Sequence, residues 1–210
     1  MDGRIDTLHN GRQKMLRRIN LYGGPGTGKS TTASDLFAEF KRMCVDTSMD
    51  RQFELTQEFV KEWAWEGRSI EGFDQTFIFA NQQRKEEIPL RAGVHHIFTD
   101  SPLFLGAAYA RKYHSKVFGP LITLAELHEE KYPGLHIFLE RGDRPYVGKG
   151  RYENEDKARR MDDYIRSLLD LYVGEDNYIS LPYNDWDGIV NIVAEKLNLS
   201  EHVRNKASAS

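Results

Sequence analysis

Residues Gly23-Gly24-Pro25-Gly26-Thr27-Gly28-Lys29-Ser30 match the pattern G-x-x-x-x-G-K-[ST] in full. Each fixed position has a chemical reason. Glycines let the backbone wrap a phosphate without Cβ clashes, so several N–H groups converge on it. A helix starting near Lys29 adds the positive end of its dipole. Lys29 offers an ammonium to the β- and γ-phosphates, and the Ser30 hydroxyl suits Mg2+. Thr31 and Thr32 either touch the α-phosphate or only begin the helix, and the first reading is preferred for Thr31. The expected cofactors are therefore ATP and Mg2+. No motif marks an adenine pocket. ATP is favoured over GTP because the Asn-Lys-x-Asp guanine reader is missing: the one Asn-Lys pair, Asn205-Lys206, is followed by Ala207-Ser208.

A triphosphate cradle needs an acid at the end of a neighbouring strand to position the metal. Asp100, after His95-His96-Ile97-Phe98-Thr99, has that position, so Ser30 and Asp100 are the expected metal pair. The next residues are Ser101 and Pro102. Motor-type ATPases carry a second acid there to activate water. Its absence, with the missing guanine reader, leaves transfer to an acceptor other than water. Such transfer needs a carboxylate that orients or deprotonates the acceptor hydroxyl. Glu58, after a second extended stretch, is the first choice. Asp100 also meets the requirement if Ser30 alone holds the metal on the protein side. Positive charge on the transferring group can come from the segment 141–151 after the fourth strand, whose glycines and proline make a loop and whose arginines are Arg141, Arg144 and Arg151, read as a lid. Arg144 and Arg151 are the choices within it. The aromatics after Glu58, Trp63 and Trp65 among them, suit either core packing or stacking on a base. His95 and His96 sit on opposite faces of a strand and do not form a metal pair.

These groups need elements that hold them. A strand at 18–22 runs into the cradle, and a helix leaves it with Ala33, Leu36, Phe37, Phe40 and Met43 on one side. Further strands are expected at 53–56, 95–99, 135–139 and 178–181. Helices are expected after Glu58, around 73–85, over 154–172 and over 187–197. This alternation predicts a three-layer α/β/α fold of the P-loop NTPase, kinase-like kind, with a mainly parallel sheet of about five strands and an Arg-rich lid at about 141–153.

The bulk composition agrees. Hydrophobic residues at 40% and charged residues at 29% describe an ordinary globular chain. No run approaches the roughly 18 apolar residues of a membrane span, so no membrane partner is expected. The single Cys44 excludes an internal disulfide framework and fits a reducing, cytoplasmic setting. With a net charge of −3, binding to nucleic acid requires a local basic patch. Arg141, Arg144, Lys149, Arg151, Lys157, Arg159 and Arg160 form one candidate.

Residues 20–32, with Glu58-Phe59, Trp65-Glu66-Gly67-Arg68, Asp74-Gln75 and Asp100-Ser101-Pro102-Leu103, resemble the small P-loop kinases of the ribosylnicotinamide-kinase-like AAA grouping. The resemblance spans roughly 17–175. Within the grouping it is greatest to bacteriophage proteins, including the phage kinases of 5-hydroxymethyluracil in DNA. The cradle is common to the whole superfamily; the Trp-Glu-Gly-Arg and Asp-Ser-Pro-Leu segments narrow it. The resemblance implies transfer of the ATP γ-phosphate to a hydroxyl of a nucleoside-like acceptor. For the DNA kinases this is the 5-hydroxymethyl group of 5-hydroxymethyldeoxyuridine, a step toward hypermodified thymine in the host cytoplasm. The alternatives are a small-molecule nucleoside or nucleotide kinase, and a nucleotide-dependent switch without acceptor chemistry.

The domain reading is a single kinase domain over 17–200, between a flexible extension at 1–16 and a flexible tail at 201–210. A chain beginning at Met15 is expected to fold and to keep its activity. Thermal melting and a transfer assay on that truncation check this, and loss of either overturns it.

Overall fold

Five short strands lie side by side in the order β2-β3-β1-β4-β5, all parallel. The computed structural model describes residues 15–71, 73–112, 116–143, 146 and 152–207. In chain order the elements are β1 (Arg18–Tyr22), α1 (Lys29–Asp46), β2 (Phe53–Thr56), α2 (Lys61–Glu66), α3 (Asp74–Arg91) and β3 (His96–Thr99). Then come α4 (Leu103–Lys112), α5 (Phe118–Lys131), β4 (Gly134–Glu140), α6 (Glu155–Tyr172), β5 (Tyr178–Pro182), α7 (Trp186–Lys196) and α8 (Ser200–Ala207). Parallel strands are buried on both faces, and their pairing needs crossovers that place helices on each side.

Alternation along β1 sorts the two layers. Ile19 and Leu21 face a core built with Leu36 and Phe40 of α1 and Ile189 and Val193 of α7. Tyr22, with Phe138 of β4, joins the opposite core, formed by α4, α5 and α6. Helix α6 carries the stripe expected of it: Ala158, Met161, Ile165 and Leu168 are buried. Its N-cap is Asn154, whose side-chain oxygen accepts from the Lys157 N–H at 3.0 Å.

Four elements depart from the expectations. The helix placed around 73–85 runs on to Arg91, through Pro89. A proline near a helix end removes one hydrogen bond, and burial of Glu86 and Leu90 holds this turn in place. The span 103–131, unassigned from periodicity, forms α4 and α5. The segment read as a tail carries α8, with Val203 packed on the first core. Residues 1–14 of the expected extension lie outside the described residues, as do Arg144 and Arg151 of the expected lid.

Under the sheet lies a buried ionic web. Arg18 of β1 is 1% exposed; its guanidinium donates to Glu86 Oε2 at 3.1 Å, to Glu129, and to the Tyr132 carbonyl at 2.7 Å. His128 Nε2 donates to the same Glu86 oxygen at 3.1 Å. His136 Nε2 lies 3.2 Å from Glu129 Oε1, and Tyr22 donates its hydroxyl proton to His136 Nδ1 at 2.9 Å. Burial alone would raise the Glu129 pKa, but the His136 and Arg18 contacts outweigh it and hold the carboxyl below its usual range. His95 precedes β3, and its ring lies 6.4 Å from that of His96. His96 donates from Nδ1 to the Leu16 carbonyl at 2.8 Å and accepts from Arg51 at 3.0 Å, and burial lowers its pKa to about 4.

Replacing Arg18 by Met would strand two carboxylates in this web. The expected cost is about 3–5 kcal/mol of stability, read as a lower urea midpoint.

Candidate active site

The loop between β1 and α1 turns on glycines. Gly23, Gly26 and Gly28 have φ of +132°, +84° and +100°, a region costly for side chains with Cβ. Thr27 donates its hydroxyl to the Gly24 carbonyl at 3.0 Å. Lys29 lies along the loop, its ammonium donating to the carbonyls of Gly23 at 2.7 Å and Gly24 at 3.0 Å. Ser30 is half-buried in the first turn of α1, and Thr31 beside it is exposed. Pro25 is buried, and its carbonyl accepts from Arg141 Nη2 at 2.8 Å. The whole Gly23–Thr31 segment thus forms one turn at the end of a central strand and the start of a helix, the arrangement that presents N–H groups to an anion.

In-register pairing of β1 with β3, Asn20 beside Thr99, puts the following residue Asp100 next to the cradle. Asp100 is 3% exposed, and its Oδ1 accepts from the Glu58 N–H at 2.8 Å. Pairing of β2 with β3, Thr56 beside Thr99, brings Glu58 to the same edge. Burial raises the Glu58 carboxyl pKa; Lys29 opposes this and Asp100 adds to it. Burial lowers the Lys29 pKa, and Glu58, Asp100 and Asp162 oppose it. Lys29, Glu58 and Asp100 therefore share one electrostatic neighbourhood. A carboxyl held above its ordinary range is a stronger base than a free one.

The pair expected for a metal fits a hard cation in its donor chemistry: a hydroxyl at Ser30 and a carboxylate at Asp100. Among the described residues no group of three or more His, Cys, Asp or Glu could hold a metal ion. Mg2+ takes one or two carboxylates together with phosphate oxygens and water.

Two side chains at the cradle were not chosen from the sequence. Asp162 of α6 accepts from the Gly24 N–H at 2.5 Å and from Arg141 Nε at 2.6 Å. Arg141, at the end of β4, thereby ties the cradle to α6 by side-chain contacts. The available signal was an acid beside Met161 and one turn past Ala158, at the border of a buried stripe. The aromatics after Glu58 divide. Trp63 is buried, with the Arg68 guanidinium 3.4 Å over its ring and Phe77 stacked on it, so it packs. Trp65 is 60% exposed.

A family model described as an AAA domain matches residues 18–186. The chain belongs to the AAA-domain family. No curated protein matches the sequence. Among solved structures, NadR protein in complex with NR is similar to this AAA domain with a TM-score of 0.64 at 16% identity, over 88% of this chain and 52% of that one. NadR in complex with NAD and AMP-PNP gives 0.63 at 15% identity, over 88% and 50%. Thymidylate kinase from Candida albicans gives 0.57 at 14% identity, over 90% and 93%. The AAA domain thus has the P-loop kinase fold expected of it, and it spans about half the length of the NadR chains. No helix among the described residues is long and apolar enough to cross a membrane.

Gly24 is pressed against α6. A Cβ there would lie 2.6 Å from both the Ala158 carbonyl and Asp162 Oδ1. Gly24→Ala must displace the loop, and ATP binding is expected to weaken by about tenfold or more in calorimetric titration.

Proposed function

We propose that this AAA domain is an ATP- and Mg2+-dependent kinase of a nucleoside-type hydroxyl, with the 5-hydroxymethyl group of 5-hydroxymethyldeoxyuridine in DNA as acceptor. The observation that carries the kinase reading is the convergence of Lys29, Glu58 and Asp100 at one strand edge, with the Glu58 backbone fixed by Asp100. The DNA acceptor rests on the resemblance to phage kinases of this base, and the AAA family and NadR-like fold are in keeping with it. The AMP-PNP bound to one NadR structure supports ATP as donor.

In this reading the backbone of Gly23–Gly28 and the Lys29 ammonium hold the β- and γ-phosphates, with Thr31 at the α-phosphate. Ser30 and Asp100 would hold Mg2+, which would supply charge neutralisation on the phosphate oxygens. Glu58 accepts a hydrogen bond from the acceptor hydroxyl and aims its oxygen at the γ-phosphorus. The new O–P bond forms as the bond from that phosphorus to the β,γ-bridging oxygen breaks. The hydroxyl proton passes to Glu58, and ADP leaves with the electron pair. Arg144 and Arg151, outside the described residues, complete the site as cations on the transferring group. Arg141 has a different part, bracing the cradle through Pro25 and Asp162.

A second reading, a small-molecule nucleoside or nucleotide kinase, is favoured by the fold shared with a thymidylate kinase and with NadR bound to NR. Labelled ATP offered with 5-hydroxymethyluracil DNA, with free nucleosides and with nucleotides separates the two. Label in the DNA is the expected result, and label in a free nucleoside alone selects the second reading. A nucleotide switch gives no labelled acceptor at all.

Glu58→Gln is expected to lower kcat by about 10²–10⁴-fold while ATP binding persists. Because the Glu58 pKa is raised, the wild-type rate should fall on acidification at a higher pH than an ordinary glutamate would give. A pH–rate profile that stays flat down to the ordinary glutamate range contradicts Glu58 as base.

A further inference from the structure

The end of α4 and the first turns of α6 face each other across a groove of about 240 Å³, lined by Lys112, Lys157, Arg160, Met161 and Tyr164. Its rim is cationic and its floor is a thioether and an aromatic ring. Lys157 and Arg160 are exposed, and neither has an ion-pair partner among the described residues. The Tyr164 hydroxyl is buried without a hydrogen-bond partner among them. Arg111 adds a guanidinium 5.7 Å from the Tyr164 ring.

The groove lies beside the cradle: Arg160 and Met161 precede Asp162 on α6, and Asp162 accepts from the Gly24 N–H at 2.5 Å. Lys112 is fixed by Glu153 at 2.6 Å. Glu155 is paired with Arg159 at 2.8 Å; Asp156 has no ion pair among the described residues. Lys157 and Arg160 on the groove, with Arg111 beside the Tyr164 ring, remain as positive charge without an ion-pair partner among the described residues, in a chain whose net charge is −3. Positive rims bind phosphate, and aromatic or thioether floors accept sugar and base. A space of this size takes one nucleotide.

We infer that this groove is a subsite for a nucleotide flanking the reacting base, so that the acceptor is a polynucleotide strand gripped by its phosphodiester backbone. The inference rests on the DNA-kinase reading above and adds where the strand lies. A nucleoside monophosphate offers the same phosphate chemistry, but it has only its own phosphate and no neighbour to fill the groove.

The test uses the full chain with Lys157→Glu and Arg160→Glu together, and a fluorescein-labelled single strand containing 5-hydroxymethyluracil. Anisotropy gives the strand Kd over a salt series, independently of phosphotransfer. The expected result is binding weakened by about tenfold or more, with the salt slope reduced by about 1.4 for two lost phosphate contacts on a single strand. KM for ATP should not change. In the wild-type chain, a trinucleotide should bind well above the 5′-monophosphate. Wild-type strand affinity in the variant, or a monophosphate that binds as well as the trinucleotide, overturns the inference. If the charge reversal unfolds the chain, Lys157→Gln with Arg160→Gln gives the same comparison. Strand binding lost in the variant, with no transfer to any acceptor by the wild type, upholds the groove and removes the kinase reading. Transfer to DNA with strand binding unchanged in the variant does the reverse.

Discussion

The parallel alignment of β1 with β3, and of β3 with β2, is the constraint on which the site depends. Parallel strands all end on one edge of the sheet. The loop after β1, the turn after β3 and the stretch after β2 therefore meet there, although Gly23, Glu58 and Asp100 are far apart in the chain. Pairing of β1 with β4 adds Arg141 to the same edge. A shift of one residue in any pair would turn every side chain of that strand to the other face. The two apolar cores, with Ile19 and Leu21 on one side and Tyr22 on the other, oppose such a shift.

The buried ionic web acts on the same alignment. Arg18 on β1, Glu86 on α3, Glu129 on α5 and His136 on β4 are each fixed by partners on other elements. Removing charges from water is costly, and these groups recover that cost only with every partner in place. The web thus tolerates few alternative arrangements of α3 and α5 under the sheet. Thr99, whose hydroxyl lies 3.5 Å from Glu86 Oε1, connects this web to Asp100, the next residue in the chain.

At the cradle, the same low-dielectric surroundings set opposing tendencies. Burial pushes the Lys29 pKa down and the Glu58 pKa up, and each charge counters the shift of the other. Asp162 contributes to the field at Lys29 and also accepts from the Gly24 N–H. One carboxylate on α6 thereby influences both the shape and the charge of the loop. The close approach of α6 explains why the second glycine of the loop has no room for a side chain.

Much of this was legible in the residues themselves. The cradle from Gly23 to Ser30 is a local pattern, because backbone conformation and helix start depend on neighbours in the chain. The strands were legible because short apolar runs between turn residues have few other uses. Asp100 was legible from its place after such a run. The roles of Asp162 and Arg141 were not, since an acid and a base apart in sequence have no local mark of their meeting. Helices α4 and α5 were also missed, because both are rich in apolar residues and packed into the core, so their periodicity is blurred. The sequence by itself determined the phosphate-binding turn and the alternating α/β order. Only the tertiary structure decided which distant charges share the cleft, because burial and long-range pairing are properties of the packed sheet and not of any one segment.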